Sequence, residues 1–359
     1  MDLPMDAWLA ALAALPEVGP ARLRWLLGQG SPPAVWANVR AGVIAPTKIA
    51  PASVLQRWVA HPLDPVVLWE QCQSLGVRVV CLGDSEYPDR LRGDADPPAV
   101  LFHQGALSVL DRPTVAIVGT RRAQPYGRAV AYELGATLAR SGVCVVSGLA
   151  LGIDAAAHRG AASERGPAVA VVGSGHHQPC PRANRSVARD VARSGAVLSE
   201  VPPGVDAAPW RFPVRNRVLA ALADVVVIVE SAAVGGSMHT VREALQRNIT
   251  VMAVPGPVSS PVSVGPHELI ADGALVCTGA SDVLLQLGID APAPVPTPRR
   301  PEPSAAAARV LSRLDSQPVS VERLLDRVDL PLTEALGALG ELVAGGWATD
   351  EGGWVQRCW

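Results

Sequence analysis

Between Thr114 and about Leu287 the chain alternates short apolar runs with alanine-rich stretches of helical period, and this alternation constrains the fold more than any other feature. The runs are Val115-Ala116-Ile117-Val118, Val143 to Val146, Ala168 to Val172, Ala196 to Leu198, Val225 to Val229, Thr250 to Val254 and Ala274 to Val276. A strand that is apolar at every residue must be covered on both faces, whereas a half-exposed strand alternates apolar with polar. Strand followed by helix, repeated, predicts an α/β fold built on a doubly wound, mostly parallel sheet. Gly76 to Leu82 and Pro97 to Leu101 add a further strand in front of it.

The flanks read differently. Residues 1–65 are rich in Ala, Leu and Trp, with Trp8, Leu12 and Leu15 near one helical face before Pro16-Glu17-Val18-Gly19-Pro20, which predicts a helical hairpin. Two readings stay open for it: a helix-hairpin-helix DNA module, whose turn would offer backbone N–H groups to a phosphate, and a scaffold or docking bundle. Residues 66–290 hold the α/β core. Across 291–304, Pro292, Pro294, Pro296, Pro298, Pro301 and Pro303 exclude helix and favour an extended spacer. Residues 305–359 then give three helices, Ala305 to Leu314, Ser320 to Val328 and Leu332 to Ala344, and a hairpin from Trp347 to Val355, the order of a winged helix. Its third helix carries Glu334 and Glu341 and no Arg, which points to protein contact or packing rather than to DNA reading.

Charge and cysteine usage narrow the function classes. The formal net charge is -2, so any nucleic-acid site must be a local patch. Lys48 is the only lysine, and the positive charge is almost all arginine, suited to bidentate phosphate contacts and to stacking. The six cysteines, Cys72, Cys81, Cys144, Cys180, Cys277 and Cys358, form no C-x-x-C pair and have no histidine at zinc-finger spacing, which predicts a reducing cytoplasm, no structural zinc and no metal site. Met1 to Ala10 lacks a basic leader, and Val218 to Val234 is interrupted by Asp224 and Glu230, so neither a signal peptide nor a membrane span is expected.

In an open parallel sheet, ligands bind beyond the carboxyl ends of the strands, where loops enter helix N-termini. The first such loop is Gly119-Thr120-Arg121-Arg122; neither G-x-G-x-x-G nor a Walker A lysine is present, so no nucleotide cofactor is implied. The second, Ser147 to Asp154, is followed by His158 at helical spacing from Asp154. That pair could be an acid/base or metal pair, but a carboxylate near a helix start is read here as structural. Gly173-Ser174-Gly175 is a third, less specific loop. Trp210-Arg211-Phe212-Pro213-Val214-Arg215-Asn216-Arg217 is the densest constellation, with cations for phosphates and rings for bases; the alternative is a core Phe212 beside a solvated arginine face. The last loop, Gly235-Gly236-Ser237-Met238-His239-Thr240, precedes Arg242 and Glu243. It partly matches the P-G-G-x-G-T-x-x-E loop of nucleotide phosphoribohydrolases, but Ser237 and His239 stand where two of its glycines belong.

The ordered series Ile117-Val118-Gly119-Thr120-Arg121, Val146-Ser147-Gly148-Leu149-Ala150, Gly152-Ile153-Asp154, Ala157-His158, Ser199-Glu200, Phe212-Pro213, Arg215-Asn216-Arg217, Pro255-Gly256, Leu269-Ile270 and Gly273-Ala274 closely resembles the DNA-processing protein A family (DprA/Smf), from about Val79 to Leu287. Tyr87-Pro88 and Asp96-Pro97-Pro98 fit the family's lead-in. The resemblance implies a Rossmann-like core in a cytoplasmic, non-enzymatic protein without a cofactor. Such a protein binds single-stranded DNA, shields it and helps load the RecA recombinase in recombination and natural transformation by competent cells, and it is a homodimer through the α/β domain. Carried over by position, the resemblance implies a DNA site of Gly119, Thr120, Arg121, Phe212, Arg215, Asn216, Arg217, Gly236, Ser237 and Thr240.

Three departures stand out: the family's S-G-S-L-x-T-A loop is Gly235 to Val241 here, its Tyr-Pro is Cys180-Pro181, and an expected Asn is His267. Two rival functions remain at this point: a phosphoribohydrolase-like enzyme, and a double-stranded DNA regulator acting through the tail.

Overall fold

The apolar runs become strands of a single nine-stranded sheet in a computed structural model that describes residues 3–290, 301–314 and 318–357. Five helices come first: α1 (Met5–Ala14), α2 (Pro20–Leu27), α3 (Pro32–Ala41), α4 (Ala52–Ala60) and α5 (Pro65–Ser74). Proline opens α2, α3 and α5, at positions whose N–H would find no helical partner in any case. In α5 the side chain of Asp64 also accepts from the N–H of Val66 at 2.8 Å.

The sheet region then runs β1 (Arg78–Cys81), α6 (Asp89–Arg92), β2 (Val100–Gly105), β3 (Thr114–Val118), α7 (Pro125–Arg140), β4 (Cys144–Ser147), α8 (Ile153–Ser163), β5 (Ala168–Val172), α9 (Arg185–Ser194) and β6 (Ala196–Ser199). It continues through α10 (Arg211–Ala221), β7 (Val225–Ile228), α11 (Gly236–Gln246), β8 (Thr250–Ala253), α12 (Val264–Ala271), β9 (Leu275–Val276) and α13 (Ala280–Gln286).

Strand order is β1-β2-β6-β5-β4-β3-β7-β8-β9. The seven strands from β6 to β9 pair in parallel, while β2 joins β6 antiparallel and β1 joins β2 antiparallel, so the segment ahead of the core supplies two strands where one was expected. Both faces are covered, as fully apolar strands require. One face packs on α7, α8, α9 and α13 through residues such as Leu134, Leu138, Ile153, Val191 and Leu284. The other packs on α10, α11 and α12 through Val218, Leu219, Val241 and Leu269. The front helices close a third cluster with β1 and β2, in which Leu12, Leu26 and Trp58 meet Val79, Val100 and Phe102. Trp58 also donates from Nε1 to the Pro16 carbonyl at 2.8 Å, tying α4 to the turn after α1.

The chain divides into two compact units, Met1–Ala291 and Pro292–Trp359, with the front helices inside the first. Pro292, Pro294, Pro296 and Pro298 of the expected spacer lie outside the described residues. The second unit contains α14 (Ala305–Leu311), β10 (Val319–Ser320), α15 (Val321–Leu325), α16 (Leu332–Ala344), β11 (Ala348–Glu351) and β12 (Trp354–Arg357), with its strands antiparallel in the order β10-β12-β11. No helix among the described residues is long and apolar enough to cross a membrane.

Candidate nucleic-acid interface

Strand order reverses at β3: the chain winds outward through β4, β5 and β6 on one side, then returns to add β7, β8 and β9 on the other. The loops leaving β3 and β7 therefore part in opposite directions and open a crevice between them, the usual ligand position in such a sheet. The β3 loop is held close to its neighbours. The N–H of Thr120 donates to the Glu230 carbonyl at 2.6 Å, and the N–H of Ile153 donates to the Thr120 carbonyl at 3.3 Å. A Cβ on Gly119 would stand 2.8 Å from the Glu230 carbonyl oxygen, so only glycine fits there without moving the backbone. Gly152 has φ +81°, and a Cβ on it would press within 2.8 Å of the Arg121 carbonyl oxygen. The two glycines let the β3 and β4 loops lie against each other and turn Arg121 outward. Arg121 and Arg122 are exposed and enter no hydrogen bond or ion pair through their side chains among the described residues.

The Trp210 to Arg217 constellation is mostly helix. Because α10 begins at Arg211, Pro213 falls in its first turn, where a missing N–H costs nothing. Phe212, Arg215, Asn216 and Leu219, at spacings of three and four, share the face that looks into the crevice. Phe212 is half-buried, and the Arg121 guanidinium carbon stands 5.0 Å from the centroid of its ring. Arg215 is buried on the crevice floor, donating to the carbonyls of Gly148, at 3.2 Å, and of Val171, and from Nε to Asn216 Oδ1 at 3.1 Å. Burial lowers its pKa to about 10, so it remains a cation at neutral pH. Asn216 donates on to the Gly236 carbonyl at 3.2 Å, linking α10 to the N-terminus of α11.

Arg217 corrects the site expected from sequence. It points away from the crevice, is 6% exposed, and pairs with Glu200 and with Asp96, the latter at 3.1 Å. The reason is helical geometry: five residues past Phe212, at about 100° per residue, it faces the opposite side of α10. Burial pushes Glu200 up to about 7 against the opposing pull of Arg217.

The β7 loop and α11 close the other wall. Gly236, Ser237 and Thr240 all line the crevice, Thr240 buried and Ser237 donating to Ser231 Oγ at 2.9 Å. His239 lines it too, in the Gly-Gly-Ser-Met-His-Thr loop already visible in the sequence, along with Pro209, Ser231, Ala232 and Val234, for which sequence carried no signal. Glu243 does not reach the crevice: its carboxylate accepts from Arg247 at 2.6 Å, and Arg247 in turn binds Asp94. The carboxylate that a phosphoribohydrolase-like reaction would use is thus turned away from the ligand space. Asp154 accepts from the N–H of Gly148 at 3.1 Å and of Ala150 at 3.4 Å, holding the β4 loop, while His158 is fully buried and outside the crevice lining. Among the described residues no group of three or more His, Cys, Asp or Glu is placed to hold a metal.

The crevice encloses about 620 Å³ and is lined by three arginines, Arg121, Arg122 and Arg215, against one carboxylate, Asp154. Nine of the ten residues expected from sequence line it: Gly119, Thr120, Arg121, Phe212, Arg215, Asn216, Gly236, Ser237 and Thr240. The result is an open, cationic space with one aromatic wall and hydroxyl and amide donors on its rim.

Comparison with known proteins bears on what such a space holds. The profile of a family described as "DNA recombination-mediator protein A" matches residues 78–288. Protein Smf of Escherichia coli K12 is 36% identical over 283 residues, covering 76% of this chain and 76% of its own. DNA processing protein DprA of Bacillus subtilis is 35% identical over 228 residues, covering 63% and 76%. Among solved structures, DprA of Streptococcus pneumoniae superposes with a TM-score of 0.66 at 29% identity, covering 79% of this chain and 98% of that one. DNA processing protein A of Helicobacter pylori, a structure described for its single-stranded DNA binding mode, superposes at 0.53 and 29%, covering 59% and 95%. With the family's match spanning most of the sheet and the crevice residues, the chain belongs to the DNA recombination-mediator protein A family, that of the proteins called DprA and Smf.

Proposed function

We propose that this chain binds single-stranded DNA in the crevice between β3 and β7 and performs no chemistry there. The observation that carries the reading is the Arg121–Phe212 pair: a cation free of any carboxylate stands over an aromatic ring at the mouth of a crevice lined by further arginines. A single strand offers phosphates to the first and base faces to the second, and a duplex keeps its faces stacked inside. The relative from H. pylori, described for single-stranded DNA binding, supports the same reading. In this account the chain shields exposed or incoming strands and helps load the RecA recombinase during recombination and transformation, as a cytoplasmic homodimer joined through the α/β unit. The tail, residues 305–359, is winged-helix-like and serves protein contact or packing rather than DNA reading, since α16 carries Glu334 and Glu341 and no basic residue.

Titrating single-stranded and duplex oligonucleotides of one sequence tests the reading: clear preference for the single strand supports it, and equal or stronger duplex binding overturns it. Incubation with nucleoside monophosphates tests the enzymatic alternative, and release of free base would establish a hydrolase.

A further inference from the structure

Phe212 is not the only ring at the start of α10. Trp210, two residues earlier, is 46% exposed, and the Arg211 guanidinium carbon stands 4.5 Å from the centroid of its ring. The Arg211 side chain makes no hydrogen bond or ion pair among the described residues, and its Nε is buried without a partner. Burial lowers its pKa, with no carboxylate to offset the effect. A desolvated cationic donor left unsatisfied is unfavourable unless a ligand completes it.

Two atoms of the six-membered ring of Trp210 approach the turn before α2. A Cβ built on Gly19, the residue that caps α2, would stand 3.7 Å from Trp210 Cζ3 and 3.9 Å from Cη2. A small cavity of about 40 Å³ opens there, with Gly19, Pro20, Glu200, Trp210 and Arg211 in its lining, and Arg215 lines both this cavity and the large crevice. The first turn of α10 is therefore a ridge, with the Arg121 crevice on one side and the turn between α1 and α2 on the other.

We infer that Trp210 and Arg211 form a second base-stacking position, contiguous with Phe212, over which a single strand held at Arg121 continues toward Gly19. The inference rests on the proposed single-strand site and extends it. Each ring carries its own arginine, so the strand meets two successive units of flat face and cation. Stacking of this kind tolerates any base, because every base has a π-face. A guanidinium held over an indole keeps N–H donors that can bind a phosphate.

The test measures affinity of the full chain for thymidine oligonucleotides of about 6 and about 16 nucleotides, the range over which single-strand sites commonly extend. Trp210→Leu keeps an apolar contact for Gly19 but removes the flat ring. It is expected to weaken the longer oligonucleotide about 5- to 150-fold, the ~1–3 kcal/mol of one stacked base, and to change the shorter one little. Arg211→Gln is expected to act in the same direction, and Phe212→Ala to weaken both lengths. If Trp210→Leu leaves both lengths unchanged while Phe212→Ala weakens both, this inference falls and the Arg121 site stands; if no variant matters, both fall. On the unmodified protein, irradiation of a bound 5-iodouracil oligonucleotide is expected to cross-link Trp210, and cross-links confined to Phe212 would overturn the proposal whatever the variants do.

Discussion

Arg121 and Phe212 come from loops and helices 91 positions apart, and the fold sets the guanidinium carbon of one 5.0 Å from the ring centroid of the other. Glu230, whose carbonyl holds the β3 loop, turns its carboxylate elsewhere. Its carboxylate accepts from the N–H of Gln124 at 2.9 Å, and a Cβ on Gly127 would stand 2.5 Å from its Oε2. The crevice thus keeps Arg121 uncompensated beside one flat apolar face.

Arg121→Ala should weaken binding of all single-stranded sequences about equally, because a guanidinium facing a phosphate reads no base. The slope of log affinity against log salt should become shallower by roughly 0.7, the share of one single-strand phosphate contact. Arg121→Glu should weaken binding further. Thermal stability should hold, since the residue is exposed and makes no ion pair. A lower melting temperature with an unchanged salt slope would make Arg121 a structural residue.

Phe212→Ala should cost ~1–3 kcal/mol of binding. The ring is half-buried and rests near Gly173, where a Cβ would stand 3.3 Å from Phe212 Cδ1. Its truncation should therefore destabilise the fold by less than the ~3–5 kcal/mol of a fully buried Phe. Urea denaturation beside an anisotropy titration separates the two effects, and a full core-sized loss of stability would favour a packing role.

Arg217→Ala should do the reverse. It strips Glu200 of its buried partner, and breaking such a pair from one side costs ~3–5 kcal/mol. Below its melting temperature the folded variant should bind a single strand almost as the parent does, because Arg217 lies outside the crevice. Lost affinity with unchanged stability would return Arg217 to the DNA site.

Stability should fall on mild acidification. Burial holds His103, His158 and His176 down to about 4, while an unfolded histidine titrates near 6.5. Between those values the unfolded chain takes up protons that the folded chain refuses, so stability is lost as pH falls from 6.5 toward 4, by on the order of 3 kcal/mol for a single such group. Glu200 works the other way: its raised pKa, about 7, makes the folded state gain relative stability as pH falls through 7 toward the ordinary carboxylate range. Urea midpoints at pH 7 and pH 5 should show His158→Gln losing less than the parent and Glu200→Gln losing more. Identical losses in all three would contradict these assignments.

The sheet was legible because β3, β4, β5, β6 and β7 are buried at every residue, and continuous apolar runs of that kind admit few alternatives. The crevice loops followed from the rule that places ligands at strand ends. What sequence could not convey was the angular placement of residues 211–221. Read as a line of neighbours, Arg215, Asn216 and Arg217 form one cluster; wound into α10, the first two face the crevice and the third faces Glu200. The partners that claim Arg217 lie 121 and 17 positions away, a tertiary pairing that no local pattern encodes. Trp210 and Arg211 stood in the same cluster, but the approach of Trp210 to Gly19 in the turn before α2 emerged only from tertiary packing.

The most direct test of the central claim is an anisotropy titration of a mixed-sequence single-stranded oligonucleotide of about 20 nucleotides, longer than one single-strand site, against the parent and the Arg121→Ala/Phe212→Ala double variant. The double variant is expected to remain folded at the assay temperature and to lose more affinity than either single change. Undiminished binding by a folded double variant would contradict it and place the DNA elsewhere on the molecule.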